Sequence, residues 1–185
     1  MGGSTFQEDG TANVGFYDQR LALQWIQDKI HLFGGDKTRV TVFGESAGGG
    51  SIIHQITAYG GLKGPAPFAQ AIPQSPAWLN MPGNAQQEDI FQSFLAQLNV
   101  ASIQEARKLP SDVLIRANAE IVAASPYGRY TFGPGVDGSF VPALPAQLLL
   151  LGGFDKSVKV MSGYNSDEGF LFTDPRVNSD AAFEN

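Results

Sequence analysis

The stretch Arg39–Gly50, RVTVFGESAGGG, runs from a β-branched segment (Val40, Thr41, Val42, Phe43) through Gly44-Glu45-Ser46-Ala47-Gly48 into the apolar Ser51-Ile52-Ile53. The pattern predicts a strand, a tight G-x-S-x-G turn and a helix, the setting in which a serine becomes a nucleophile. A serine at the tip of such a turn sits on strained backbone, and the chain on either side must pass close to it. Glycine is therefore expected at 44 and 48, where a side chain would clash. The helix starting at Ala47 aims unpaired N–H groups and its positive dipole end at the space beside Ser46 Oγ, where an oxyanion would be stabilised. Two other readings compete. A Gly-rich turn with an incidental serine needs neither the strand before nor the helix after. A phosphate loop nearly fits Gly44, Gly49 and Ser51, but Gly50 occupies its lysine position and Glu45 would repel phosphate.

Upstream of the stretch, residues 2–15 are polar and Gly-rich and read as loop. Asp18 opens a predicted helix with Ala22, Trp25, Ile26, Lys29, Ile30 and Phe33 on one face, and Gly34-Gly35-Asp36 stops it. Helix, glycine stop and strand form the αβ half of an α/β unit. Downstream, the helix after Ser46 should reach about Ala58, with Ile52, Ile53 and Ile56 inward. A Gly/Pro loop leads to a strand over Phe68–Gln74, which Pro73 makes short or places at an edge.

Three helices are then expected with no strand between them. One is capped near Asn84 and Gln87 and carries Ile90, Phe91, Phe94, Leu95 and Leu98. A short one has a Ser102/Glu105 capping box and ends at Pro110, and a third runs from about Ser111 to Ala123. They break the α/β alternation and read as an insertion or cap, about 84–123, within a single domain covering 1–185. Ser125–Pro142 is a long loop rich in Gly, Pro and aromatics (Tyr127, Tyr130, Phe132, Phe140). Loops of this length are usually functional or poorly ordered. These aromatics suit an apolar pocket wall, with core packing as the competing role. A short helix from Pro145 to Leu151, a strand over Val158–Met161 and a turn over Ser162–Gly169 complete the α/β pattern.

A chain of 185 residues with 43% hydrophobic and 16% charged residues can bury a core and is not a disordered composition. Its net charge of −6, with 12 Lys and Arg scattered singly, argues against nucleic acid and anionic membrane surfaces as partners. The absence of cysteine excludes disulfides, Cys-ligated zinc and a thiol nucleophile. No apolar run approaches a membrane span. The N-terminal MGGSTFQEDG lacks the basic and hydrophobic regions of a signal peptide, so a chain made as written is expected to stay in the cytoplasm. No cofactor and no metal are expected.

Taken together, several segments resemble the type-B carboxylesterase family, which contains cholinesterases, carboxylesterases, fungal lipases and non-catalytic adhesion relatives. They are Asn13-Val14-Gly15 with Asp18–Ile26, Phe33-Gly34-Gly35-Asp36, Val40–Gly49, Ala71-Ile72-Pro73-Gln74-Ser75, Val136-Asp137-Gly138-Ser139-Phe140 with Pro142, and Gly163–Gly169. The resemblance implies an α/β-hydrolase fold, a mostly parallel sheet carrying the Ser46 turn, of which this chain would be a central part. It implies Ser46 as nucleophile, the Ala47 backbone N–H in the oxyanion hole and Glu168 as the acid of a triad. Glu45 matches the acidic residue beside the nucleophile, and Ser75 a serine that supports the triad. Pro76 stands where many members have glycine. The implied substrate is a small-molecule carboxylic ester or a lipid; many members are secreted.

Glu168 has support apart from that match, since in this fold the order is serine, then an acid after a later strand, then histidine. A solvated turn carboxylate is the competing role. The base is the open question, because a serine hydroxyl is a poor nucleophile until an imidazole takes its proton. His31 precedes the nucleophile strand, and His54 lies eight residues past Ser46, roughly 12 Å along a helix. Both read as surface or packing residues. In the family the triad histidine lies well downstream of the Glu-Gly turn and a His-Gly-Gly oxyanion segment well upstream of the serine. Without them, esterase activity of these residues alone is expected to be near zero. Two functions follow: an ester hydrolase acting through Ser46, or an inactive remnant or binding protein that keeps the hydrolase surface.

Overall fold

The computed structural model describes residues 1–78 and 81–183. Its centre is a parallel sheet of β1 (Thr41–Glu45), β2 (Gln70–Gln74) and β3 (Lys159–Val160), in that spatial order. Helix α3 (Ala47–Ile56) leaves β1 directly and crosses over to β2, so the alternation read from the sequence is realised here. Ile52 and Ile56 of α3 bury against Phe68 and Ala71, with Leu23, Val40, Val42, Phe154 and Val158 around them. Ile53 turns out to be only half-buried.

Pro73 does not put its strand at an edge. β2 is short, but it lies between β1 and β3. The carbonyls of Ala69 and Ala71 accept from the N–H groups of Lys159 and Met161 at 3.0 Å, and that of Pro73 accepts from Gly163 at 3.4 Å, so the Pro73 nitrogen also faces β3. The ladder with β3 stops at Ala71–Val160 and resumes only as a bridge between Gln74 and Gly163. The proline has no N–H to donate to β3, so the ladder is interrupted at that point while its carbonyl still accepts from Gly163; the central strand tolerates it at the cost of that one bond.

The N-terminal residues read as loop contain a helix, α1 (Ser4–Asp9). Six residues with one apolar side chain cannot hold a helix alone. Tertiary contacts do so: Phe6 meets Phe91 edge-on at 5.3 Å, and Glu88 accepts from the Thr5 N–H at 2.9 Å. The next helix, α2 (Val14–Lys29), begins earlier than Asp18. It starts where Asn13 adopts a left-handed conformation, φ 56°, and ties its side chain to the Gly135 carbonyl and the Asp137 carboxylate. The face expected to be buried is largely bare, with Trp25 51% exposed.

Helices α4 (Asn84–Gln97), α5 (Ile103–Ala106) and α6 (Ser111–Ala123) follow in succession. Phe91, Leu95, Leu98, Ala106 and Ala117 form their core, which also takes in Met1 and Phe6. The cap of α4 is Gly83 rather than Asn84, with the Gln86 side chain accepting from the Gly83 N–H. Ser102 and Glu105 cap α5 as expected: Ser102 Oγ accepts from Glu105 N–H, and the Glu105 carboxylate from Ala101 N–H. The chain continues through irregular residues to α7 (Pro145–Leu151), β3, α8 (Glu168–Phe172) and α9 (Asp180–Phe183). Within the long loop, Phe140 is fully buried against Phe16, Tyr17 and Tyr59, so this aromatic serves the core. Among the described residues no helix is long and apolar enough to cross a membrane.

Candidate active site

Ser46 sits between β1 and α3 with φ 54° and ψ −117°, a positive φ that a non-glycine residue adopts only under constraint. The constraint is backbone hydrogen bonding on both sides. Its N–H donates to the Gln74 carbonyl at 3.0 Å, and its carbonyl accepts from Gly50 and Ala77, each at 2.9 Å. Its hydroxyl makes no hydrogen bond among the described residues, and neither does the N–H of Ala47, the first residue of α3.

The steric demand for glycine is only partly where the motif puts it. A Cβ at 44 would lie 2.7 Å from the Gly48 carbonyl carbon, as expected. At 48 it would meet no described atom within 4 Å, against expectation. The tight positions are the next two. A Cβ at 49 would lie 2.9 Å from the Gly44 oxygen and 3.0 Å from both the Gln74 oxygen and Pro76 Cα; one at 50 would lie 2.1 Å from the Ala77 oxygen. The first turn of α3 is pressed against residues 74–77, and the glycine run permits that approach.

Glu168 opens α8 beside the end of β2. Its Oε1 accepts from the Ser75 hydroxyl, from the Asn165 N–H at 3.0 Å and from Asn165 Nδ2 at 3.2 Å. These bonds, the Ser75 hydroxyl foremost, hold its carboxyl below the ordinary glutamate value, so the carboxylate is the resident form at neutral pH. Ser75 is itself fixed, with φ 42° and its N–H donating to the Gly163 carbonyl at 2.7 Å. Asn165, in the same Gly163–Gly169 turn, is a partner of Glu168 that no sequence motif marks.

Ser46, Glu45, Ser75 and Glu168 all line one cavity of about 600 Å³. Trp78, Tyr130, Tyr164 and Phe172 form apolar parts of its wall, of which only Tyr130 comes from the long aromatic loop. Neither histidine lines it. His31 is exposed and lines a separate pocket with Asp36 and Thr38. His54 is 1% exposed, stacked on Phe16 at 4.6 Å, with neither ring nitrogen hydrogen-bonded among the described residues. Burial lowers its pKa to about 4, so it is a neutral packing residue.

The fold agrees with what comparison with known proteins finds. The model of the carboxylesterase family matches residues 3–184. Carboxylesterase patB of Penicillium expansum is 52% identical over 187 residues, covering 99% of this chain and 33% of that protein. Lipase 2 of Geotrichum candidum is 34% identical over 195 residues, covering 97% of this chain and 34% of the lipase. Among solved structures, a PNB esterase superposes with a TM-score of 0.81 at 31% identity, over 99% of this chain and 40% of the esterase. The chain belongs to the carboxylesterase family, and its sheet and helices are part of an α/β-hydrolase fold. It spans about a third of the length of the curated relatives it matches.

Proposed function

We propose that these residues carry the nucleophile and the acid of a serine-dependent carboxylic ester hydrolase. Ser46 Oγ adds to the ester carbonyl while an imidazole takes its proton, and the Ala47 N–H donates to the oxyanion that forms. The alcohol departs with that proton, and water then releases the acid from the acyl-serine. Glu168 accepts a hydrogen bond from the imidazole and fixes its orientation. What supports this most is that Ser46 and Glu168 line one cavity, the first with an unbonded hydroxyl and the second as a held carboxylate. A small carboxylic ester or a lipid acyl ester is the proposed substrate class, with the apolar wall taking its hydrocarbon part. The three consecutive helices over 84–123 are read as an insertion in that fold.

A second reading is a non-catalytic member of the same family. The position of both histidines away from the cavity favours it for these residues taken alone. Loss of the base costs a serine hydrolase on the order of a millionfold in rate, about 8 kcal/mol of barrier. In a protein as long as its relatives, the base would come from the remaining two-thirds.

The two are separated by treating the native protein with a fluorophosphonate probe, reading the modified peptide by mass spectrometry, and assaying p-nitrophenyl acetate. A hydrolase is labelled at Ser46 and loses both labelling and turnover in Ser46→Ala. A protein that is folded by circular dichroism yet unlabelled is the non-catalytic member.

A further inference from the structure

Glu168 uses its two carboxylate oxygens unequally. Oε1 takes three donors: the Ser75 hydroxyl, the Asn165 N–H at 3.0 Å and Asn165 Nδ2 at 3.2 Å. Oε2 accepts no hydrogen bond among the described residues. Asn165 Nδ2 also reaches Ser75 Oγ at 3.4 Å, so one side chain spans both the carboxylate and its other partner.

A carboxylate offers about four acceptor directions on two equivalent oxygens, and a ring N–H binding it could use any of them. Three donors converging on one oxygen remove that freedom, because turning the last side-chain torsion breaks them. Two of the three come from Asn165, and its amide is the only one that also meets Ser75. We propose that Asn165 is a positioning residue for the acid, occupying Glu168 Oε1 so that Oε2 is presented to the N–H of the catalytic imidazole. This rests on the hydrolase reading of Ser46 and Glu168. The backbone N–H survives any substitution at 165, so the side chain's own share is open to measurement.

The experiment follows Glu168 by nuclear magnetic resonance in wild type, Asn165→Ala and Asn165→Leu, reading its carboxyl titration and its Hα–Hβ couplings. Leu is close to Asn in size and removes the Nδ2 donor without adding a charge beside the carboxylate, so it covers the case in which the alanine variant fails to fold. In wild type the couplings should report one rotamer. In each folded variant they should average, and the protonation constant of Glu168 should rise about threefold or more, as expected on losing a hydrogen bond to a charged group. A Glu168 that keeps one rotamer and its wild-type midpoint in either variant overturns the proposal. The two readings fail separately. An unlabelled Ser46 overturns the hydrolase reading and, with it, the imidazole; a Glu168 indifferent to Asn165 overturns only the positioning role.

Discussion

The N–H of Ser46 donates to the Gln74 carbonyl at 3.0 Å, and the residue after Gln74 is the serine whose hydroxyl holds Glu168. Both groups are therefore located from the same end of β2. The serine is held through main chain, whereas the carboxylate takes two side-chain donors and one main-chain N–H, so the two respond to different substitutions.

The glycine run gives a contrast within one helix turn. Gly50→Ala places a methyl 2.1 Å from the Ala77 oxygen and should cost about 3 kcal/mol, as overpacking against backbone does. Gly48→Ala meets nothing described within 4 Å and should instead stabilise α3 by about 0.5–1 kcal/mol through helix propensity. Urea unfolding of the two variants checks both signs.

Asn13 joins the start of α2 to the long loop. Its Nδ2 donates to Gly135 O at 2.8 Å and Asp137 Oδ2 at 2.7 Å, and its Oδ1 accepts from Gly135 N–H at 3.0 Å. Asn13→Ala removes these bonds and leaves alanine at φ 56°, a combined loss of about 3 kcal/mol. Asn13→Gly should recover about 1 kcal/mol of that, the backbone part alone. The midpoints of urea unfolding separate the two contributions.

His54 predicts a pH dependence. Burial lowers its pKa to about 4 from an unfolded value near 6.5, so the unfolded chain binds the proton first as pH falls. The stability associated with neutral His54 is complete above about pH 6.5 and is lost progressively toward pH 4, on the order of 3 kcal/mol in all. His54→Leu should remove this component and be neutral or stabilising at pH 7, since both ring nitrogens are buried without partners among the described residues. The quantity to measure is the wild-type minus variant stability between pH 7 and 5, where a constant difference would contradict the expectation.

Much of this was legible in the sequence because it is local. The β-branched run before Ser46, Gly44 beside it, the Ser102/Glu105 capping box and the Pro145 helix start each determine structure within a few residues. Ser46 and Glu168 came from motif and family order, and the fold brings them to one cavity. What escaped depends on distant partners. α1 exists through Phe91 and Glu88, more than eighty residues away. The tolerance of Pro73 depends on the Gly163 N–H that its carbonyl still accepts, and the steric need at Gly50 on Ala77. Asn165 carries no signature of its own, since its value lies in which carboxylate oxygen it occupies.

Pro73 divides the site by how easily its parts would open. β1 and β2 are joined at five paired positions, whereas β2 holds β3 at two and then by a bridge at Gly163. Amides past Val160 should exchange with solvent sooner than those of β1, because fewer bonds must break to release them. An opening of that kind would swing Glu168 away while Ser46 stayed seated on Gln74, so the carboxylate can be withdrawn from the serine without unfolding the turn that carries it.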